Sequence, residues 1–185
     1  MADNQGDFVW YELMTSDADA AQAFYEPLLG WKFASSGMSD MDYRHGSANG
    51  VEVVGLLELT QDMIGGGARP AWIGYIAVAD IDASLTRLKE QGGQLFMGPN
   101  HLDGVGHMAM VADPQGAPFY LMQPEGEGSE SFAKHEPRDG HCAWNELVSA
   151  DPDAAKAFYF TEFGWSKDGE MPMGAQSNYE FIRHN

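Results

Sequence analysis

Glu12 is the residue in this chain most in need of a chemical explanation. It is the one charged residue in the aromatic and apolar run Phe8–Met14, and a carboxylate carried on such a strand needs either a partner or a purpose. Strand alternation puts Phe8, Trp10 and Glu12 on one face and Val9, Tyr11 and Leu13 on the other. On an apolar face Glu12 is suited to act as a general base with a raised pKa, or as counter-ion to a cationic ligand. A plain salt bridge to Arg44 or Arg69 is the structural alternative. Two histidines, His101 and His107, flank a glycine-rich loop and are candidates for acid–base assistance. Neither a Ser-His-Asp nor a Cys-His arrangement is present. The single cysteine, Cys142, rules out an intrachain disulfide and a cysteine-based zinc site, and it reads as a packing residue.

The elements that position these residues are written in a repeat. Residues 10–31 return at 144–165 with 12 of 22 identical, including both tryptophans at the ends. In each copy an aromatic strand leads to an aspartate (Asp17, Asp151) placed to cap a helix, and the helix ends at a glycine (Gly30, Gly164). A fainter copy starts at Ala71, with Asp80 as N-cap and Ile81, Leu85 and Leu88 as the buried stripe of a helix stopping at Gly92-Gly93. Further strands are expected at 43–45, 51–59, 94–96, 105–112, 118–123, 165–167 and 179–184, with loops at 61–70 and 98–106 and a turn at Asp113-Pro-Gln-Gly116. Each unit therefore reads as βαβββ. Residues 7–124 hold two complete units, 125–140 form a linker rich in Gly, Glu, Ser and Pro, and 141–185 begin a third unit that lacks its last strand.

Composition narrows the function classes. The chain has 185 residues, 44% of them hydrophobic, enough for a real core. A formal charge of −18, from 28 acidic against 10 basic residues, disfavours nucleic-acid and anionic-membrane binding. No apolar run approaches the roughly 18 to 20 residues that span a bilayer, and the first residues carry no secretory signal. A cytoplasmic location is the expectation. The glycines at 65–67 lack the Lys-Ser/Thr that a phosphate-cradling loop needs.

Paired βαβββ units, the signature Asp…Phe-Tyr-x-x-x-Leu-Gly-Trp at the first helix and Asp113-Pro-Gln-Gly116 before the last strand resemble the vicinal oxygen chelate superfamily. That superfamily includes glyoxalase I, bleomycin-resistance proteins and extradiol dioxygenases. The spacing of Trp10-x-Glu-Leu, Gly104-Val-Gly106 and Asp113-Pro-Gln-Gly-Ala117 is most similar to a tandem glyoxalase-like branch often labelled hydroxylase-like. The resemblance implies an α+β fold in which paired modules form a curved mixed sheet, a cup that in metal-dependent members holds a divalent cation. Counted by motif, three of the implied ligand positions fall on Trp10, Ile73 and Tyr120; the fourth falls on the strand 51–59, with Glu52 and Glu58 as candidates. Trp, Ile and Tyr do not suit a divalent cation in this geometry, so no metal cofactor is expected. The implied cup is an aromatic small-molecule pocket lined by Trp10, Glu12, Ile73, Tyr75, His107, Tyr120 and Met122, with Glu12 as the candidate catalytic group. The alternative is a metal-dependent glyoxalase-like lyase or isomerase, or a dioxygenase. The aromatic residues of the third unit need cover, either from the first domain or from a second chain in a homodimer.

Overall fold

The computed structural model describes residues 4–126, 128–174 and 178–184. Its elements run β1 (Phe8–Thr15), α1 (Ala18–Leu29), β2 (Lys32–Ser35), β3 (Tyr43–Ala48), β4 (Val51–Glu58), α2 (Gln61–Gly65), β5 (Ala71–Ala77), α3 (Ile81–Glu90), β6 (Gln94–Leu102), β7 (Gly106–Ala112), β8 (Pro118–Pro124), α4 (Pro152–Phe163), β9 (Ser166–Met171) and β10 (Tyr179–Arg183). The chain is an α+β protein whose strands β1 to β8 form a mixed sheet in the order β2-β3-β4-β1-β5-β8-β7-β6. The two halves of that order mirror each other: β1 to β4 pair as 2-3-4-1, and β5 to β8 as 1-4-3-2 within their own module. This is the βαβββ repeat read from the sequence, made twice.

The helix starts follow from local chemistry. Asp17, Asp80 and Asp151 are in extended conformation, and each carboxylate accepts from the backbone N–H three residues on, at Ala20, Ala83 and Ala154. Helices α1 and α4 both end on a left-handed glycine, Gly30 with φ of 71° and Gly164 with φ of 73°.

The chain divides into two compact units. One comprises residues 8–75 and 127–147. One core cluster in it is Trp31, Ala48, Val53 and Val54, with Tyr25, Phe33 and Val51 packed against them. The segment after the linker lies on this unit, where Trp31 Nε1 donates to the Gly140 carbonyl at 2.7 Å and Asn145 Nδ2 donates to the Tyr11 hydroxyl at 2.8 Å. The other unit comprises residues 1–7, 76–126 and 148–185. In it the third module's helix α4 packs on α3, and Phe158, Tyr159 and Phe163 close around Phe119 of β8 at ring separations of 6.5, 5.9 and 5.9 Å. Phe158, Tyr159 and Phe163 of the third module are thus covered within the chain, whereas Trp144 is 60% exposed.

Four details differ from the sequence reading. Residues 141–149 make no strand; only a single bridge joins Cys142 to Phe132. A strand exists only against a neighbour, and here side chains hold the segment instead. The expected loop at 98–106 is largely strand, because β6 continues to Leu102 through irregular pairing with β7. The expected loop at 61–70 contains the short helix α2, capped by Thr60. Strand β9 is longer than the three residues foreseen and pairs with β10 as a separate two-stranded sheet. No helix among the described residues is long and apolar enough to cross a membrane.

Candidate functional site

Register brings the site together in the unit of residues 8–75 and 127–147. Glu12 of β1 lies opposite Gly55 of β4, and Gly55 in turn lies opposite His45 of β3. Glu12 is only 3% exposed. The Tyr75 hydroxyl donates to its Oε2 at 3.0 Å, while Oε1 is buried without a hydrogen-bond partner among the described residues. Burial pushes the Glu12 carboxyl above its ordinary value, and the Tyr75 and Tyr43 hydroxyls oppose this without cancelling it. Neither candidate arginine reaches it: Arg44 bonds Asp42, Asp19 and Gln22, and Arg69 bonds the carbonyls of Ile64 and Ala68. Among the described residues Glu12 has hydroxyl neighbours and no arginine partner, and its burial favours the neutral form of the carboxyl.

Two aromatic side chains lie over Gly55. Trp10 Nε1 donates to the Tyr43 hydroxyl at 3.2 Å, and both rings meet the His45 ring edge-on, at 6.2 and 5.4 Å. Gly55 is required by this packing, since a Cβ there would stand 2.1 Å from Tyr43 Oη and 3.1 Å from Trp10 Nε1. Gly55→Ala is accordingly expected to cost about 1–3 kcal/mol through overpacking and to displace Tyr43 and Trp10. Denaturant unfolding and near-ultraviolet circular dichroism check this; an unchanged aromatic spectrum would contradict the placement.

Of the seven residues read as ligand-binding, Trp10, Glu12, Ile73 and Tyr75 belong to this unit; His107, Tyr120 and Met122 belong to the other. Ile73 is fully buried on β5. Tyr120 and Met122 are buried on β8 opposite Met110 and Met108 of β7. His107 faces His101 across the β6–β7 pair. Phe8, expected beside Trp10, stacks on Tyr11 instead, with ring centroids 5.9 Å apart. Tyr43 and Gly55 are site residues that sequence reasoning missed. The signal available for them was the 43–58 hairpin, whose register decides what faces Glu12.

The family's chelating positions do not offer a divalent cation a donor set. Trp10 and Ile73 have no available lone pair, and Tyr120 is a buried phenol. On β4 neither candidate glutamate replaces them. Glu58 Oε2 accepts from the Ala18 N–H at 3.0 Å at the start of α1, and Glu52 is 3.3 Å from His45 Nδ1. The residue of β4 that stands beside Glu12 is Gly55.

Two features outside this site complete the picture. A groove of about 360 Å³ runs between α1 and the β1 and β5 strands, lined by Met14, Ala21, Phe24, Tyr25 and Trp72 among others; the Trp72 indole donates to the Tyr25 hydroxyl at 3.1 Å. Phe24 is 61% exposed there, whereas its repeat counterpart Phe158 is buried. Asp113, of the Asp-Pro-x-Gly motif, is structural. Its Oδ1 accepts from the Gln115 and Ala117 N–H groups at 2.9 Å each, and its Oδ2 accepts from the Tyr159 hydroxyl at 3.2 Å.

Comparison with known proteins agrees with this architecture. The sequence model of the Glyoxalase/Bleomycin resistance protein/Dioxygenase superfamily matches residues 7–121. The protein named "Putative glyoxylase CFP32" of Mycobacterium tuberculosis is 30% identical over 181 residues, covering 97% of this chain and 67% of its own length. The "Anthracycline biosynthesis protein DnrV" of Streptomyces peucetius is 32% identical over 168 residues, covering 84% of this chain; the chain spans only 59% of that relative. Among solved structures, a homoprotocatechuate 2,3-dioxygenase variant from B. fuscum superposes with a TM-score of 0.62 at 14% identity, over 99% of this chain and 52% of that one. A catechol 2,3-dioxygenase gives 0.55 at 14% identity, over 95% and 64%. With the family model matching most of the chain, and with the paired βαβββ modules in place, this chain belongs to the Glyoxalase/Bleomycin resistance protein/Dioxygenase superfamily.

Proposed function

We propose that this chain binds a small aromatic carbonyl compound against the Glu12 carboxyl, without a metal at the family's chelating positions. The observation that carries this reading is the buried Oε1 of Glu12, which has no hydrogen-bond partner among the described residues. A buried polar atom without a partner is costly, and a ligand that hydrogen-bonds it removes the cost. With Tyr75 donating to Oε2 and burial favouring the neutral form, Oε1 is the atom that holds the proton and donates it to a ligand oxygen. Trp10, Tyr43 and His45 supply ring surface beside it. The Streptomyces relatives are named for anthracycline biosynthesis, and a fused-ring aromatic ketone combines the flat apolar body and the acceptor oxygen that these groups suit.

The test is a thermal-shift and calorimetric screen of the full chain in EDTA against anthraquinones, catechols and glutathione thiohemiacetals. Aromatic ketones are expected to raise the melting temperature with the chelator present. Stabilisation that appears only when zinc, nickel, iron or manganese is restored would instead favour a metal-dependent lyase, isomerase or dioxygenase. A homodimer formed through the third module is the second part of this reading. It would have to use surfaces other than Phe158, Tyr159 and Phe163, which are buried within the chain.

A further inference from the structure

We infer that His101, His107 and Glu125 form a binding site for a divalent transition-metal ion of the zinc class, separate from the family's chelating positions. One ligand atom from each of the three residues can be chosen so that all lie within 4.8 Å of one another. His101 Nε2 is already 2.9 Å from Glu125 Oε1, and the two imidazoles stand with ring centroids 4.6 Å apart, tilted by 36°. Zinc bound at about 2.0–2.1 Å in tetrahedral geometry needs donors roughly 3.3 Å apart. Closing the widest pair therefore asks for about 1.5 Å of movement or less from side chains that are partly exposed.

The backbone under the site is fixed by sheet pairing. His101 of β6 and His107 of β7 are direct cross-strand partners, and His107 is opposite Gln123 of β8. Glu125 follows the end of β8, and its N–H donates to the Val105 carbonyl in the β6–β7 turn at 3.0 Å. Gly106 makes this closure possible: with φ of 131°, it lets β7 approach so closely that a Cβ would stand 2.1 Å from the Gln123 carbonyl oxygen. Two paired strands and the residue that follows β8 thus bring three donors to within 4.8 Å of one another.

The donor set selects the metal. Two imidazoles and one carboxylate suit borderline divalent ions such as zinc or nickel, whereas calcium and magnesium prefer all-oxygen shells. Asp103, itself fully exposed, stands with Oδ1 3.4 Å from His101 Nδ1, where an outer carboxylate would favour the ring with Nε2 toward the metal. Three protein ligands leave a fourth tetrahedral position for water or a substrate oxygen.

The experiment uses the EDTA-stripped full chain, titrated with zinc chloride calorimetrically at 0.15 M salt, where diffuse attraction to the acidic surface is screened. One saturable equivalent is expected, with the H101A/H107A double variant and E125Q each weakening it at least tenfold and H135A, at a histidine of the 125–140 linker outside the cluster, leaving it unchanged. Cobalt(II) substitution should give the visible absorption of a tetrahedral site in the wild type and not in the double variant. Melting temperatures in EDTA show whether each variant is folded. Absence of a saturable equivalent, or equal affinity in wild type and a folded double variant, would overturn the proposal.

Discussion

Replacing Asp113 by alanine is expected to cost the chain about 3 kcal/mol or more of stability, the largest loss anticipated for any single polar substitution here. The side chain is 1% exposed, so nothing from solvent replaces it. Its Oδ1 holds the Gln115 and Ala117 N–H groups in the turn before β8, and its Oδ2 receives the Tyr159 hydroxyl from α4. Hydrogen bonds to charged groups contribute about 1.5–3 kcal/mol each, and their removal strands buried donors. Both the turn and the docking of α4 are affected. Asp113→Asn keeps an acceptor for the two N–H groups and should recover most of the loss, while Tyr159→Phe, which removes one of the three bonds to the carboxylate, should cost about 1.5–3 kcal/mol. Denaturant unfolding of the three variants checks this. An alanine variant within 0.5 kcal/mol of wild type would show that the turn is held by something else.

The second large effect concerns pH. Burial raises the folded-state pKa of Glu12 above its ordinary value of 4.5. A group with a raised folded pKa contributes stability that is fully present below the unfolded value and is lost as pH rises through the folded value. The stability of wild type relative to Glu12→Gln is therefore expected to fall as pH rises from about 4.5, with a slope of up to about 1.4 kcal/mol per pH unit inside the titration window. Ligand binding should follow the same proton: affinity of wild type for an aromatic ketone declines with rising pH, while Glu12→Gln, which keeps an amide donor, binds with no such decline. Glu12→Leu removes the hydrogen bond altogether and should weaken binding about tenfold or more. Parallel stability curves for wild type and Glu12→Gln across pH 4 to 9 would contradict the raised value.

Much of the fold was legible because its punctuation is local. An aspartate three residues before a free N–H makes a helix cap wherever it occurs, and Asp17, Asp80 and Asp151 all do so. The repeat then fixed the module. What escaped was whatever depends on a distant neighbour. Residues 141–147 have the composition of a strand and are held instead by side chains such as Asn145 on Tyr11. Gly98 and Pro99 read as loop, yet β6 carries them through its irregular pairing with β7.

The candidate site divides the same way. Alternation along β1 and β5 sufficed to put Glu12 and Tyr75 on one face, and they meet at 3.0 Å. It failed at Phe8, whose position at the very start of β1 leaves its ring free to stack on Tyr11. Tyr43 and Gly55 required the register of three strands, which no single stretch of sequence contains. The same holds for His101, His107 and Glu125: two were noticed for flanking one loop, and the third became their neighbour only through β8.

The most direct test is to label the glutamate carboxyl carbons with ¹³C, treat the chain with EDTA, and follow the Glu12 resonance, assigned with Glu12→Gln, while an anthraquinone ketone is added. The expected result is a carboxyl that titrates above the ordinary glutamate value and a resonance that shifts on ligand addition with no metal present. A resonance that titrates normally, or stays still while the ligand binds, would contradict it.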